Sequence, residues 1–296
     1  MTFENSLPSS ALPLTEPVLS AASAPLARSE GRVEIRMKMR DNQSHLSHLY
    51  QRGCGRVRFP SIDRLDFPEA VLINTAGGLT GGDAMSYDVE LEPTTRLTIS
   101  GQAAEKIYRS VGTVTNISSE IRLSENSFLE WLPQETILFE KSRLKRLNNV
   151  HLRLGSRLLA LEATVFGRKA HGENLTDVQI QDGWKIWRDG KLLWFDNFKV
   201  TDNFQAILRS PAHLDNARAM ATFLIADEKA EEYVDMVRDV ATLLDARVGT
   251  TSRNGLLITR ILAKDGYSLR KSLTAILQHV RSKLAGEPVP LPKVWE

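Results

Sequence analysis

VLINTAGGLTGGDAMSYDVELEPTTRLTISGQAAEKIYRS, Val71 to Ser110, decides between a nucleotide-binding α/β fold and a mainly β one. It opens on apolar Val71-Leu72-Ile73 and passes through Asn74-Thr75-Ala76-Gly77-Gly78-Leu79-Thr80-Gly81-Gly82-Asp83. It then alternates apolar and polar residues through Tyr87, Val89 and Leu91. A P-loop must end in Gly-Lys-Ser/Thr, and here Asp83 follows the last glycine. A dinucleotide fingerprint must open a helix, and here a two-residue alternation follows instead. Asp83 would also repel a phosphate. Gly77, Gly78, Gly81 and Gly82 therefore read as a tight corner between strands, where the backbone needs positive φ or another group comes close.

Outward from this corner the strand pattern continues. Upstream, Val33, Ile35, Met37 and Met39 alternate with charged residues, a half-buried strand. Downstream, similar short alternations include Ile121 and Leu123, Leu129 and Trp131, and Val150, Leu152 and Leu154. Asp189-Gly190 joins Lys185–Arg188 to Lys191–Phe195 as a two-residue hairpin, with Trp184, Trp187 and Trp194 as its apolar body. Short strands without interleaved helices predict a mainly β fold, and the absence of a fixed period makes any solenoid an irregular one. After about Asp227 the spacing turns helical. Two amphipathic helices are expected near the C-terminus, about 227–245 and 268–285, with a buried strand from Gly255 to Leu262 between them. They are expected to pack on the β body within one domain, 31–296.

Composition narrows the function. The chain has 296 residues, 38 basic and 36 acidic, so charge gives no argument for nucleic acid or an anionic membrane. A single cysteine, Cys54, excludes an internal disulfide and fits a reducing compartment. Residues 1–30 are rich in Ser, Ala and Pro and are expected to be a disordered extension rather than a leader or lipid anchor. No apolar run approaches the roughly 18 residues of a membrane span. A cytoplasmic protein is expected.

Several residues carry chemistry worth locating. His45 and His48 have a spacing that would suit a metal on a helical face, although no Cys or third His is near. Cys54, between Arg52 and Arg56, lacks a partner base and reads as a passive thiol. Asp83, Glu105 and Glu135 stand among Gly, Ala and Pro-Gln, where a buried charge must be paired. Three readings stay open for them. One is an internal salt-bridge network using Lys106 and Arg109. Another is a carboxylate pair for acid–base work on a sugar, and the third a polar path of oxygen ligands for a divalent ion. Gly167-Arg168-Lys169-Ala170-His171-Gly172-Glu173 adds His171 and Glu173 as a two-ligand cluster.

The motifs NTAGGLTGGD and QAAEKIYRS (Gln102 to Ser110) resemble the urease accessory protein UreD family, also called UreH. So do WLPQETILF from Trp131, GRKAHGE from Gly167, LWFDN from Leu193 and LPKVW from Leu291. The resemblance runs from about Arg32 to the C-terminus. It implies an irregular β-helix-like body of many strands with two helices. It also implies a non-enzymatic scaffold that binds urease apoprotein and UreF and, through UreF, the GTPase UreG that brings nickel. No nucleic acid, membrane or tightly bound cofactor is implied, only transient Ni²⁺. Carried over by motif, Asp83, Glu105, Glu135 and Glu173, with His171, would line or shape a nickel path. Gly77, Gly78, Gly81, Gly82, Lys106, Arg109, Trp131 and Pro133 would keep the motifs' shape. Two departures stand out: His171 replaces a Met of the family pattern, and Ser252-Arg253-Asn254-Gly255 replaces a more glycine-rich run. The competing readings are a carbohydrate-active β-solenoid enzyme and a generic protein-binding module with an exposed apolar edge.

Overall fold

A computed structural model describes residues 27–60, 67–168 and 172–296. The alternation at Val33 becomes β1, Glu30–Arg40, followed by β2, Gln43–Gly53, and β3, Gly55–Arg58. From β4, Glu69–Asn74, the chain begins to coil. β5 is Ala84–Leu91, β6 Arg96–Gly101, β7 Glu105–Ile107, β8 Thr115–Leu123 and β9 Phe128–Leu132. β10 is Thr136–Leu138, β11 Arg143–Leu152, β12 Arg157–Phe166, β13 Gln179–Arg188 and β14 Lys191–Val200.

Successive strands alternate between two sheets. One has the order β14-β13-β11-β8-β5-β1-β2. The other contains β12-β9-β6-β4-β3 and is extended beyond β12 by β15, Ala219–Ala226, β17, Leu256–Ala263, and β16, Ala246–Arg253. Within each sheet the coiling strands pair in parallel, β5 with β8 and β8 with β11, β6 with β9 and β9 with β12. Side chains on stacked rungs lie 29 to 32 residues apart, as in Glu120–Asn149, Glu69–Ser100 and Thr98–Glu130. A short third face pairs β7, β10 and the end of β12 in parallel, with Leu79 bridging to Ile107. This is the irregular solenoid. Parallel stacking fixes inward and outward parity but not residue identity, so no sequence repeat is required.

The space between the sheets is filled by inward residues such as Ile35, Val89, Ile121 and Val150 on one side and Leu97, Ile99, Leu129 and Leu158 on the other. The second sheet is apolar on both faces. Its outer face, including Phe128, Leu161 and Phe223, is covered by α2, Val234–Ala241, and α3, Gly266–Ala285. Leu269, Leu273, Ile276, Leu277 and Val280 form the buried stripe of α3, each worth roughly 1.5–3 kcal/mol of transfer free energy. The same helix carries Arg281, whose guanidinium meets the fully buried Glu130 at 2.6 and 2.8 Å. Trp295 is buried on this chain's own surface. Its indole donates to the Leu132 carbonyl at 3.1 Å and Arg270 lies over its ring.

Several local expectations are met with their reasons visible. Asp189 and Gly190 have φ of 48° and 77°, the left-handed pair that a two-residue hairpin requires. The helix expected over 268–285 is α3, begun two residues earlier because Asp265 caps it by accepting from Ser268 N at 2.8 Å. Asp265→Ala is expected to lower unfolding free energy by about 1 kcal/mol, read from a urea titration, with the slope unchanged.

Other elements differ from expectation. The helix expected over 227–245 is a 3₁₀ turn, Ala230–Tyr233, followed by the eight residues of α2. Leu243 beyond it is exposed, so no apolar stripe extends the helix. A short helix α1, Phe204–Arg209, and the edge strand β16 were not foreseen. Ser252-Arg253-Asn254-Gly255 forms the β16–β17 turn, with Asn254 and Gly255 at φ 54° and 70°. His45 and His48 lie on the strand β2 rather than a helix, and His48 pairs with Glu34 at 3.3 Å. The expected extension lies outside the described residues through position 26.

Candidate functional site

The corner that opens the coil is built from its own carboxylate. Asp83 is buried and accepts from Thr80 N and Ser29 N, each at 2.8 Å. Leu79 exchanges backbone bonds with Lys106 O and Tyr108 N at 2.8 and 2.7 Å, and Thr80 Oγ1 donates to Arg109 O. The corner thus lies flat against β7. Gly81 has no room for a side chain, since a Cβ would stand 2.0 Å from Ser110 Oγ and 2.3 Å from Thr113 O. At Gly78 a Cβ would meet Tyr108 at 2.4 Å, while Gly77 and Gly82 have φ of 74° and 93°.

Beneath this corner a cavity of about 340 Å³ runs inward between the sheets from Asn74, Gly77 and Lys106. Glu105 stands at its outer part, with Nδ2 of Asn74 at 3.0 and 3.1 Å from its two oxygens. Burial raises the Glu105 carboxyl above the usual range, and the Asn74 and Lys106 N–H donors oppose this only in part. Tyr87, edge-on to Trp131, forms part of the wall. Burial pushes its phenol up as well.

The inner end is a charged cluster. Arg146 is 2.7 Å from Glu162 and 2.6 Å from Asp182, and it donates to Thr136 at 2.8 Å. Burial works against its charge, but Asp182 and Glu162 outweigh that and hold the guanidinium protonated. Glu162 also accepts from Trp131 Nε1 at 3.2 Å and Asn148 Nδ2 at 3.3 Å. Burial nonetheless raises its carboxyl, with Asp182 adding repulsion. Two carboxylates face one guanidinium here. Gln134 Nε2 and Asn148 Oδ1 are buried without a partner.

The motif carboxylates do not all converge on this cavity. Glu105 lines it, together with Gly77, Lys106, Trp131 and Pro133. Asp83 serves the corner. Glu135 lies 3.6 Å from Arg270, on the side of the C-terminal helix. Glu173 accepts from Glu140 N and Arg168 N, each at 3.0 Å, and from the Arg168 side chain. Burial alone would raise its carboxyl, but these donors win and hold it below the usual range. His171 lies outside the described residues. Among the described residues Glu105 makes no ion pair with Lys106 or Arg109; of these two, Lys106 alone reaches the carboxylate, through its backbone N–H at 3.2 Å. Cys54 is buried, which raises its thiol.

Sequence reasoning missed Arg146, Glu162, Asp182, Asn148 and Tyr87. Arg146 and Asn148 occupy the inward parity of β11, between Leu144 and Val150, and Asp182 that of β13, between Ile180 and Trp184. Polar residues at apolar parity were the available signal.

Chemically the cavity presents one carboxylate near its mouth and a second deep inside that already has three donors. Glu162 is thus held by Arg146, Trp131 and Asn148 rather than standing free. No group of three or more His, Cys, Asp or Glu among the described residues is arranged to hold a metal ion.

Comparison with known proteins supplies the remaining information. The family profile described as UreD urease accessory protein matches residues 29–296. The chain is 37% identical to the urease accessory protein UreD of Rhizobium johnstonii over 279 residues, covering 94% of this chain and 98% of that one. Against the UreD protein of Brucella suis it is 38% identical over 277 residues, covering 92% and 96%. Against that of Mesorhizobium japonicum it is 37% identical over 275 residues, covering 92% and 96%. With a matching profile over nearly its whole length and relatives of the same extent, the chain belongs to the UreD urease accessory protein family.

Proposed function

We propose that this chain is a non-catalytic scaffold of urease maturation. In this reading it acts in the cytoplasm, binds urease apoprotein and UreF, and through UreF engages the GTPase UreG, which brings nickel. Ni²⁺ is cargo rather than a resident cofactor. The observation that carries the reading is the family match over residues 29–296. The cavity lends it physical support, because Glu105 is the carboxylate an entering cation meets first. Glu162 and Asp182 then give the inner end more negative than positive groups. Asp83, Glu135 and Glu173 act on the same route by holding the segments around it, and His171 is a candidate donor beside Glu173. No helix among the described residues is long and apolar enough to cross a membrane.

Deletion of the gene in the source organism is expected to leave urease protein abundant but poor in nickel and activity, both restored by re-supply. Glu105→Gln should keep partner binding and lower urease-bound nickel at limiting metal by about tenfold, since the entrance loses its charge but keeps its shape. Metal content of purified urease reads this directly. Full metallation after deletion would overturn the scaffold reading, and full metallation with Glu105→Gln alone would overturn only the assignment of Glu105.

A further inference from the structure

The two sheets are finished differently on their outer sides. Helices α2 and α3 cover the second sheet, whereas among the described residues neither helix is packed on the outward rows of the first. On the β1, β5 and β8 part of that face, charges largely neutralise one another. Arg36 lies 3.6 Å from Glu90, Arg122 reaches Asp88, Glu90 and Glu120, and His151 of the adjoining β11 lies 3.0 Å from Glu120.

The β11, β13 and β14 part is different. Register places Lys145 beside Gln181 and Lys199 in one row, and Lys185 beside Phe195 two rows on. Between these rows Gly183 is flanked by Leu147 and Asn197, whose side chains lie 3.6 and 3.7 Å from where a Cβ would stand. That middle row is therefore low. The acids of β13 and β14 point inward to other partners, Asp182 to Arg146 and Asp196 to Arg260, and none is left at an outward position. Among the described residues Lys145, Lys185 and Lys199 accordingly have no ion pair. Phe195 and Leu192 are 54% and 48% exposed beside them.

We infer that this outward face of β11, β13 and β14 is a docking surface for an acidic protein partner. The partner sets an apolar side chain against Phe195 and Leu192 and carboxylates against Lys145, Lys185 and Lys199. Charge complementarity selects this occupant, since the three lysines have no ion pair among the described residues, and the acid in the row of Lys185, Glu120 beyond Asn149, is already paired with Arg122 and His151. The apolar residues interleaved with them match a mixed protein surface better than a continuous polyphosphate. The identity of the partner set rests on the maturation reading, so the partner is a component of that assembly.

The test is capture of the full chain from cells co-expressing the urease subunits and the other accessory proteins of its operon, each component quantified by mass spectrometry. Lys145→Glu/Lys185→Glu/Lys199→Glu is expected to lower recovery of one acidic component by about tenfold, with an unchanged thermal melt. Phe195→Ser should weaken the same component without altering the salt dependence of its capture. Full recovery of every component by the lysine variant would overturn the inference, as would nucleic acid being the only ligand it loses. These outcomes are separable from failure of the maturation reading itself. That reading falls if gene deletion leaves urease metallated, whereas the docking inference falls if deletion matters and the lysine variant does not.

Discussion

Arg146→Met is expected to destabilise the protein by about 3–5 kcal/mol, because it strands two buried carboxylates instead of removing a matched group. Arg146 is 4% exposed and Glu162 5%, with Asp182 close behind at 13%, so the stranded carboxylates would keep only the solvation that the cavity gives them. The substitution also removes bonds to Thr136 and Thr164 on the third face. Glu162→Gln is expected to be much milder, since Arg146 keeps Asp182 and the carboxamide oxygen can still accept from Trp131 or Asn148. Adding Glu162→Gln to Arg146→Met should recover part of the loss by removing one of the stranded charges. Urea unfolding of the three variants reads the order. Arg146→Met within 1 kcal/mol of the parent would show that the cluster is not a stabilising tie between coils.

Gly81→Ala should cost about 1–3 kcal/mol through overpacking. The added methyl would stand 2.0 Å from Ser110 Oγ and 2.3 Å from Thr113 O. Ser110 can turn away only by giving up its bonds with Thr113 O and Gly112 N, and the Thr113 carbonyl is backbone. Gly77→Ala provides the contrast. Nothing lies within 4 Å of its Cβ, so only the positive φ opposes it, at roughly 1–2 kcal/mol. Hydrogen exchange at Leu79 and Tyr108, which bond across this corner, should accelerate in Gly81→Ala. Unchanged protection there would mean that the corner yields without cost.

What the sequence discloses follows from what alternation can encode. Val33 to Met39 and the Asp189-Gly190 hairpin were legible because one face is wet and the turn demands positive φ. The second sheet's strands were harder, since β12 and β15 are buried on both faces and lose their parity signal. Stacking of coils could not be read, because parallel neighbours about thirty residues apart need share only inward and outward order. The cavity was half legible. Glu105 stood out as a carboxylate in an apolar motif. Arg146, Asn148 and Asp182 were visible only as polar residues at inward parity, and Glu162 lay in a run with no parity at all. Asp83 and Glu173 were conspicuous for a different physical reason, since their oxygens answer backbone N–H groups of turns.

The closure of the second sheet by the C-terminus sets a schedule for synthesis. Arg281 meets Glu130 across 151 residues, and Trp295 meets the Leu132 carbonyl across 163. The coils can stack as they emerge from the ribosome, each on the one before. The outer apolar face of β9, β12 and β15 nonetheless waits uncovered until α3 and the residues through Trp295 have been made. Synthesis must therefore pass Trp295 before the chain can hide this apolar face. A message truncated within the last helix would release a stacked but adhesive product, and early termination becomes more hazardous for this protein than early mistranslation in any single coil.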